Sequence, residues 1–149
     1  MTEVVNLLDV PPGEEIDRDG FRSLDLPIGP LLGAELLGCS VYDVPPGERL
    51  WPYHYHLGNE EWLVVVAGRP TLRVPAGERE LVAGDVVAFP EGEDGAHTLV
   101  NRTDENARVA IFSTLRRGTS VYPDSGKVSA FRRCYRIADA VDYWDGEEP

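Results

Sequence analysis

From about Glu35 to Thr114 the chain alternates short runs rich in valine, leucine, tyrosine and phenylalanine with Pro-Gly, Ala-Gly and aspartate-rich breaks. Several short apolar runs punctuated this way predict an all-β sandwich or barrel. The expected strands are Leu36 to Val44, Trp51 to His56, Glu61 to Val66, Thr71 to Val74, Glu80 to Val82, Val86 to Phe89, His97 to Asn101, and Ala107 to Thr114. Their connections carry turn chemistry, as in Pro45-Pro46-Gly47, Leu57-Gly58-Asn59, Pro75-Ala76-Gly77 and Ala83-Gly84-Asp85. Links of hairpin length favour antiparallel pairing.

Outside that stretch the pattern thins. Residues 1–34 read as an N-terminal arm in which Phe21 to Leu26 could add a strand, to this domain or to a neighbouring subunit. Residues 35–115 form the barrel and residues 116–149 a C-terminal segment that docks on it. The aromatics of Val121 to Val128 and of Tyr143 to Gly146 would be costly to leave solvated, so both segments are expected to pack, leaving Glu147 to Pro149 free. The hexapeptide Asp-Val-Pro-Pro-Gly-Glu occurs at Asp9 to Glu14 and again at Asp43 to Glu48. Two copies with unlike flanks read as reuse of one turn recipe rather than a repeat array.

At 149 residues the chain has the length of one domain with a real core. Its formal net charge of −12, with Lys127 the only lysine, disfavours nucleic acid and anionic membranes as partners, because phosphate binding needs a basic stripe. No apolar stretch approaches the roughly 20 residues of a membrane span. The N-terminus lacks a basic start with an apolar signal core, so a cytoplasmic protein is expected. Cys39 and Cys134 stand far apart without a Cys-x-x-Cys pattern and read as two reduced structural thiols.

Candidate chemistry is concentrated in three histidines, His54, His56 and His97. His54 and His56 are two apart, so on a strand they share a face with about 6.6 Å between their backbones and can converge on one ion. A carboxylate after the next turn and an imidazole from another strand would complete a set of three nitrogens and one oxygen, which suits Fe, Mn, Ni, Zn or Cu as a divalent ion. Glu60 and Glu61 compete for the carboxylate position and must face opposite sides of one strand. Tyr53 and Tyr55 point away from the histidine face by the same parity. Trp51 could reach the pocket mouth, with Arg73, Phe89, Tyr122 and Lys127 as weaker lining candidates.

These residues also carry a family resemblance. Gly47, His54, His56, Glu61 and Gly68 resemble the first motif of the cupin superfamily, and Gly84, Pro90, Gly92, His97 and Asn101 resemble the second. Two spacings depart from the pattern. Gly47 to His54 is one residue longer, and Gly92 to His97 is two longer, with Glu93-Asp94 as an insertion and Gly95 leading into His97. The resemblance implies a small antiparallel jelly-roll β-barrel of the single-domain bacterial type, commonly a homodimer. It implies His54, His56, Glu61 and His97 as metal ligands, the spacing to Gly68 selecting Glu61 over Glu60, with Asn101 supporting rather than ligating. It further implies a metal-dependent enzyme acting on a small oxygenated substrate, of dioxygenase, sugar or sugar-phosphate isomerase, or lyase type, or alternatively a non-catalytic sensor or storage protein for a small-molecule ligand. No helix-turn-helix segment accompanies the barrel. The sequence names no general base and leaves the reaction open.

Overall fold

A computed structural model describes residues 3–11, 13–116 and 118–147. The protein is all-β, and every ladder within it is antiparallel. The largest sheet has six strands, in the order β1 (Glu14–Arg18), β2 (Phe21–Pro27), β3 (Leu37–Val44), β10 (Ala107–Thr114), β5 (Glu61–Ala67) and β8 (Val86–Phe89). A second sheet runs β13 (Arg133–Arg136), β12 (Lys127–Ala130), β11 (Thr119–Tyr122) and β4 (Tyr55–Leu57). A third runs β7 (Gly77–Glu80), β6 (Thr71–Val74) and β9 (Thr98–Val100). Isolated bridges at Arg49–Val100 and His54–His97 tie segments outside the named strands into this jelly roll.

Period-two burial decides which side of the large sheet is the core. In β5, Leu63 and Val65 are buried while Trp62 between them and the turn is half exposed; in β10, Val109 and Ile111 face the same way. With Phe89 of β8 in the same sheet, they pack against Leu50, Leu72, Leu81 and Leu99. Each such side chain contributes roughly 1.5–3 kcal/mol on burial. A smaller cluster lies on the other side, where Val10 and Ile28 of the N-terminal segment cover Val41 and Ala110.

The strand ends differ from the sequence expectation in instructive ways. Trp51 to His56 is not one strand: Pro52 has no N–H to donate, and pairing is confined to the His54 bridge and to β4, from Tyr55 onward. The strand expected at Glu80 to Val82 lies at Gly77–Glu80, because β6 and β7 close a hairpin in which Val74 is opposite Gly77. The His97 to Asn101 strand is shorter, at Thr98–Val100. Phe21 to Leu26 does form a strand, and it pairs with β3 of the same chain, with β1 outside it.

Thr119 to Tyr122 pairs with β4, which brings Val121 to Val128 against the barrel. Tyr143 and Trp144, expected to bury, are 82% and 71% exposed and stack edge to face on each other, 4.8 Å between ring centroids. Met1, Thr2, Pro12, Arg117, Glu148 and Pro149 lie outside the described residues, so the start of the expected arm and the last part of the expected free terminus do too. Among the described residues, no helix is long and apolar enough to cross a membrane.

Candidate metal centre

Four elements deliver the three imidazoles and one carboxylate to one point. His54 and His97 face each other across their bridge, exchanging backbone hydrogen bonds of 3.1 and 2.8 Å. His56 lies two residues on in β4, opposite Ser120 of β11. Glu61 opens β5 and is paired on one side with Phe89 of β8 and on the other with Ser113 of β10. His54 Nε2 stands 3.1 Å from His56 Nε2, and Glu61 Oε2 stands 3.0 Å from His56 Nε2 and 3.5 Å from His97 Nε2. His54, His56 and Glu61 thus offer ligand atoms that all lie within 4.8 Å of one another. Glu60 is turned away, its carboxylate accepting the Trp62 indole N–H at 2.8 Å, as parity on one strand requires.

The hydrogen bonds around the centre decide which nitrogens are free. His54 Nδ1 is 2.8 Å from the Pro52 carbonyl, and His97 Nδ1 is 2.8 Å from the Gly95 carbonyl. A carbonyl only accepts, so each Nδ1 carries the proton and each neutral ring turns a bare Nε2 lone pair inward. His97 Nε2 is buried with no hydrogen-bond partner and faces the Glu61 carboxylate, which also only accepts. Ser120 Oγ, 3.0 Å from His56 Nδ1, orients the third ring. Two lone pairs and a carboxylate converging in a buried place could hold a cation, and backbone carbonyls fixing the outer nitrogens are the usual support of metal-binding histidines. The donor set of imidazole and carboxylate suits a divalent transition ion.

Burial, reinforced by the facing His97, pulls the His54 imidazole down to about 4. Burial likewise lowers His97, against the opposing pull of the Gly95 hydrogen bond and of Glu61. For Glu61 burial works upward, but the His56 hydrogen bond and the charges of the facing imidazoles outweigh it and hold the carboxyl below its ordinary value. In the metal-free protein His54 therefore takes up its proton near 6.5 when unfolded and near 4 when folded. Its contribution is complete above pH 6.5 and is lost as the pH falls toward 4, by about 3 kcal/mol. Urea unfolding of the metal-free protein at pH 7 and pH 4.5 should show this loss. Equal stabilities at the two pH values would contradict the buried, neutral His54.

Aromatic rings wall the site. Phe89 lies flat on His97, with centroids 3.7 Å apart and planes 8° from parallel; Trp51 meets His97 edge-on at 5.9 Å; and Tyr122 stacks on His54 at 5.7 Å. Tyr53 and Tyr55 instead line a groove on the far side of β4, with Val121 and Ile137. Arg73 is drawn away, with its guanidinium paired to Asp124 and lying 3.9 Å over the Tyr53 ring. Lys127 reaches the Tyr122 ring, 5.3 Å from its centroid, rather than the imidazoles. Asn101 is a turn clamp: fully buried, it donates to the Val44 and Glu105 carbonyls and accepts from Thr103.

The motif glycines have physical reasons. Gly68 sits at φ +80°, and a Cβ there would stand 2.7 Å from the Asn106 carbonyl oxygen. The two extra residues of the second motif, Glu93 and Asp94, form with Gly95 a 3-10 turn in which a Cβ on Gly95 would collide with the Pro90 carbonyl oxygen. Three groups near the centre went unread in the sequence. Ser120 lies in the tail, where no pattern marks it, whereas Ser40 and Tyr42 continue the inward parity of β3.

The cupin domain family matches residues 40–114, half of the chain and the stretch that carries His54, His56, Glu61 and His97, and the chain belongs to that family. No curated protein is detectably similar to it in sequence. Among solved structures it is similar to a sugar phosphate isomerase from a cupin superfamily of Silicibacter pomeroyi, at 25% identity over 96% of this chain and 98% of that one, with a TM-score of 0.78. It is also similar to a protein of Acidithiobacillus ferrooxidans provisionally named a sugar phosphate isomerase, at 23% identity over 87% and 88% of the two chains and a TM-score of 0.77. A predicted oxalate decarboxylase of Thermotoga maritima shares the fold at 18% identity over 76% and 99% of the two chains, TM-score 0.62.

Proposed function

We propose that this cupin is a metal-dependent enzyme acting on a small oxygenated substrate, and that its reaction is the isomerisation of a sugar-like hydroxy-carbonyl compound. The observation that carries the metal reading is the buried, partnerless Nε2 of His97 facing the Glu61 carboxylate. His54, His56, Glu61 and His97 would hold the ion. A bound divalent metal supplies Lewis-acid polarisation of a carbonyl or hydroxyl oxygen. Glu61, whose carboxyl the facing imidazoles hold below its ordinary value, would take a proton from the substrate only by detaching from the ion. The rings of Trp51, Phe89 and Tyr122 against His97 and His54 would shield the ion from water. The likeness to the Silicibacter pomeroyi isomerase over nearly the full length of both chains supports isomerisation over oxygen insertion or lyase chemistry.

The test is to load the protein with Fe(II), Mn(II), Ni(II), Cu(II) or Zn(II) and follow aldose–ketose interconversion alongside oxygen uptake. Metal-dependent interconversion without oxygen uptake is expected. Silence with every metal, together with retained ligand binding, would make the protein a sensor or storage cupin instead.

The working unit in this proposal is a homodimer. Trp62, Phe112 and Val86 lie on the outer face of the large sheet, Trp62 opposite Phe112, and are 50%, 37% and 55% exposed. Such a patch favours a covering partner. Light scattering at micromolar concentration should give twice the chain mass, and a monomer would count against the pairing.

A further inference from the structure

A cavity of about 280 Å³ opens where β3 and β10 end beneath the 27–38 loop, and Glu61 stands on its wall. The register explains its lining. Gly38, Ser113 and Glu61 are direct neighbours across β3, β10 and β5, and Ser40 and Tyr42 continue the inward face of β3. Gly38 sets the width, since a Cβ there would come within 2.6 Å of Ser113 Oγ and 3.0 Å of Leu115 Cδ2. Tyr42 joins the cavity to the candidate metal centre: its ring stacks at 5.4 Å on Trp51, which in turn meets His54 and His97.

The charge of this lining is one-sided. Among the described residues no lysine or arginine faces the cavity. The ionisable groups there are Glu61, Cys39 and Tyr42, and behind Tyr42, as its direct partner on β2, is Asp25, with Oδ1 buried and unpartnered. Burial pushes the Tyr42 phenol up to about 12, with the charges of Asp25 and Glu61 adding to it, and the Cys39 thiol up to about 11. Tyr42 is therefore a neutral hydrogen-bond donor and acceptor at physiological pH. Hydroxyls on apolar walls can satisfy a ligand's own hydroxyls, whereas a phosphate brought into this cavity would find no lysine or arginine among its lining residues to pair with.

We propose that this cavity receives the non-chelating end of an uncharged, polyhydroxylated substrate, held by the hydroxyls of Ser40, Tyr42 and Ser113, and that it excludes a phosphate ester. The assignment rests on the metal-enzyme reading above and narrows it: the substrate is a free sugar or polyol-like compound, in contrast to the name carried by the similar Silicibacter pomeroyi structure.

Calorimetric titration of the metal-loaded protein with free pentoses and hexoses and with their terminal phosphate esters tests the charge preference. At least one free sugar should bind roughly tenfold or more tightly than its ester. Tyr42→Phe and Ser113→Ala should each weaken that binding by roughly tenfold, the loss of one buried hydrogen bond, with metal content unchanged. Tighter binding of the esters, unaltered affinity in both variants, or no binding by any free sugar would overturn the proposal. Turnover of a tightly bound ester would overturn the cavity assignment while leaving the metal-enzyme reading standing. Preferential binding of a free sugar with no turnover would do the reverse.

Discussion

His54→Ala combined with His97→Ala abolishes stoichiometric metal binding. Both rings present an inward lone pair because a backbone carbonyl holds the outer Nδ1, so the pair removes two prearranged nitrogens, leaving His56 and Glu61. Loss of merely a supporting partner around a metal typically costs ten- to a hundredfold in affinity, so loss of two ligands should exceed about a hundredfold. The barrel itself should persist, because the His54–His97 bridge is made by backbone groups and the core beside it is apolar. His54→Gln with His97→Gln, which keeps side-chain volume, guards against a packing artefact. Elemental analysis after dialysis reads the result, with circular dichroism confirming the strands. Undiminished metal content in either double variant would refute the site.

Gly95→Ala has the second large effect, on folding and on metal together. The added methyl would fall on the Pro90 carbonyl oxygen, a backbone atom that cannot swing aside, so the turn must open. Overpacking of this severity costs about 3 kcal/mol. The same turn carries the carbonyl that fixes His97 Nδ1, so metal affinity should fall as well, whereas an alanine at exposed Gly20 or Gly33 would leave it unchanged. Urea unfolding midpoints and metal content measured on one preparation check both halves. Wild-type stability in Gly95→Ala would show that the turn is looser than its contacts imply.

The parts of this site that could be read in the sequence are those that period-two geometry governs. His54 and His56 on one face, Glu61 rather than Glu60, and Tyr53 with Tyr55 on the opposite side all follow from alternation on a strand. Gly95 was legible because a short insertion needs a turn before His97. Pro52 hid the actual course of the first histidine segment, which is bent, with one bridge, where a continuous strand was expected. The C-terminal sheet was hidden for another reason. Its strands are four residues long and hold no buried residue, half-buried in β11 and β12 and exposed in β13, so alternation has no buried face to mark, and Ser120 beside His56 could not be anticipated. Tyr143 and Trp144 misled because they meet each other edge to face and stay largely exposed rather than reaching a core. Ser40, Tyr42 and Ser113 were missed as lining residues since hydroxyls on strands look like any half-buried position until the register sets them beside Glu61.

The proposed ion lies at the meeting point of β4, β5 and the His97 segment. Anomalous X-ray diffraction from crystals of the protein loaded with Mn(II) or Zn(II) tests it most directly. A single strong peak enclosed by His54 Nε2, His56 Nε2, a Glu61 carboxylate oxygen and His97 Nε2 is the predicted result. A loaded crystal with no peak among these four side chains, or with a peak bound elsewhere on the acidic surface, would contradict it.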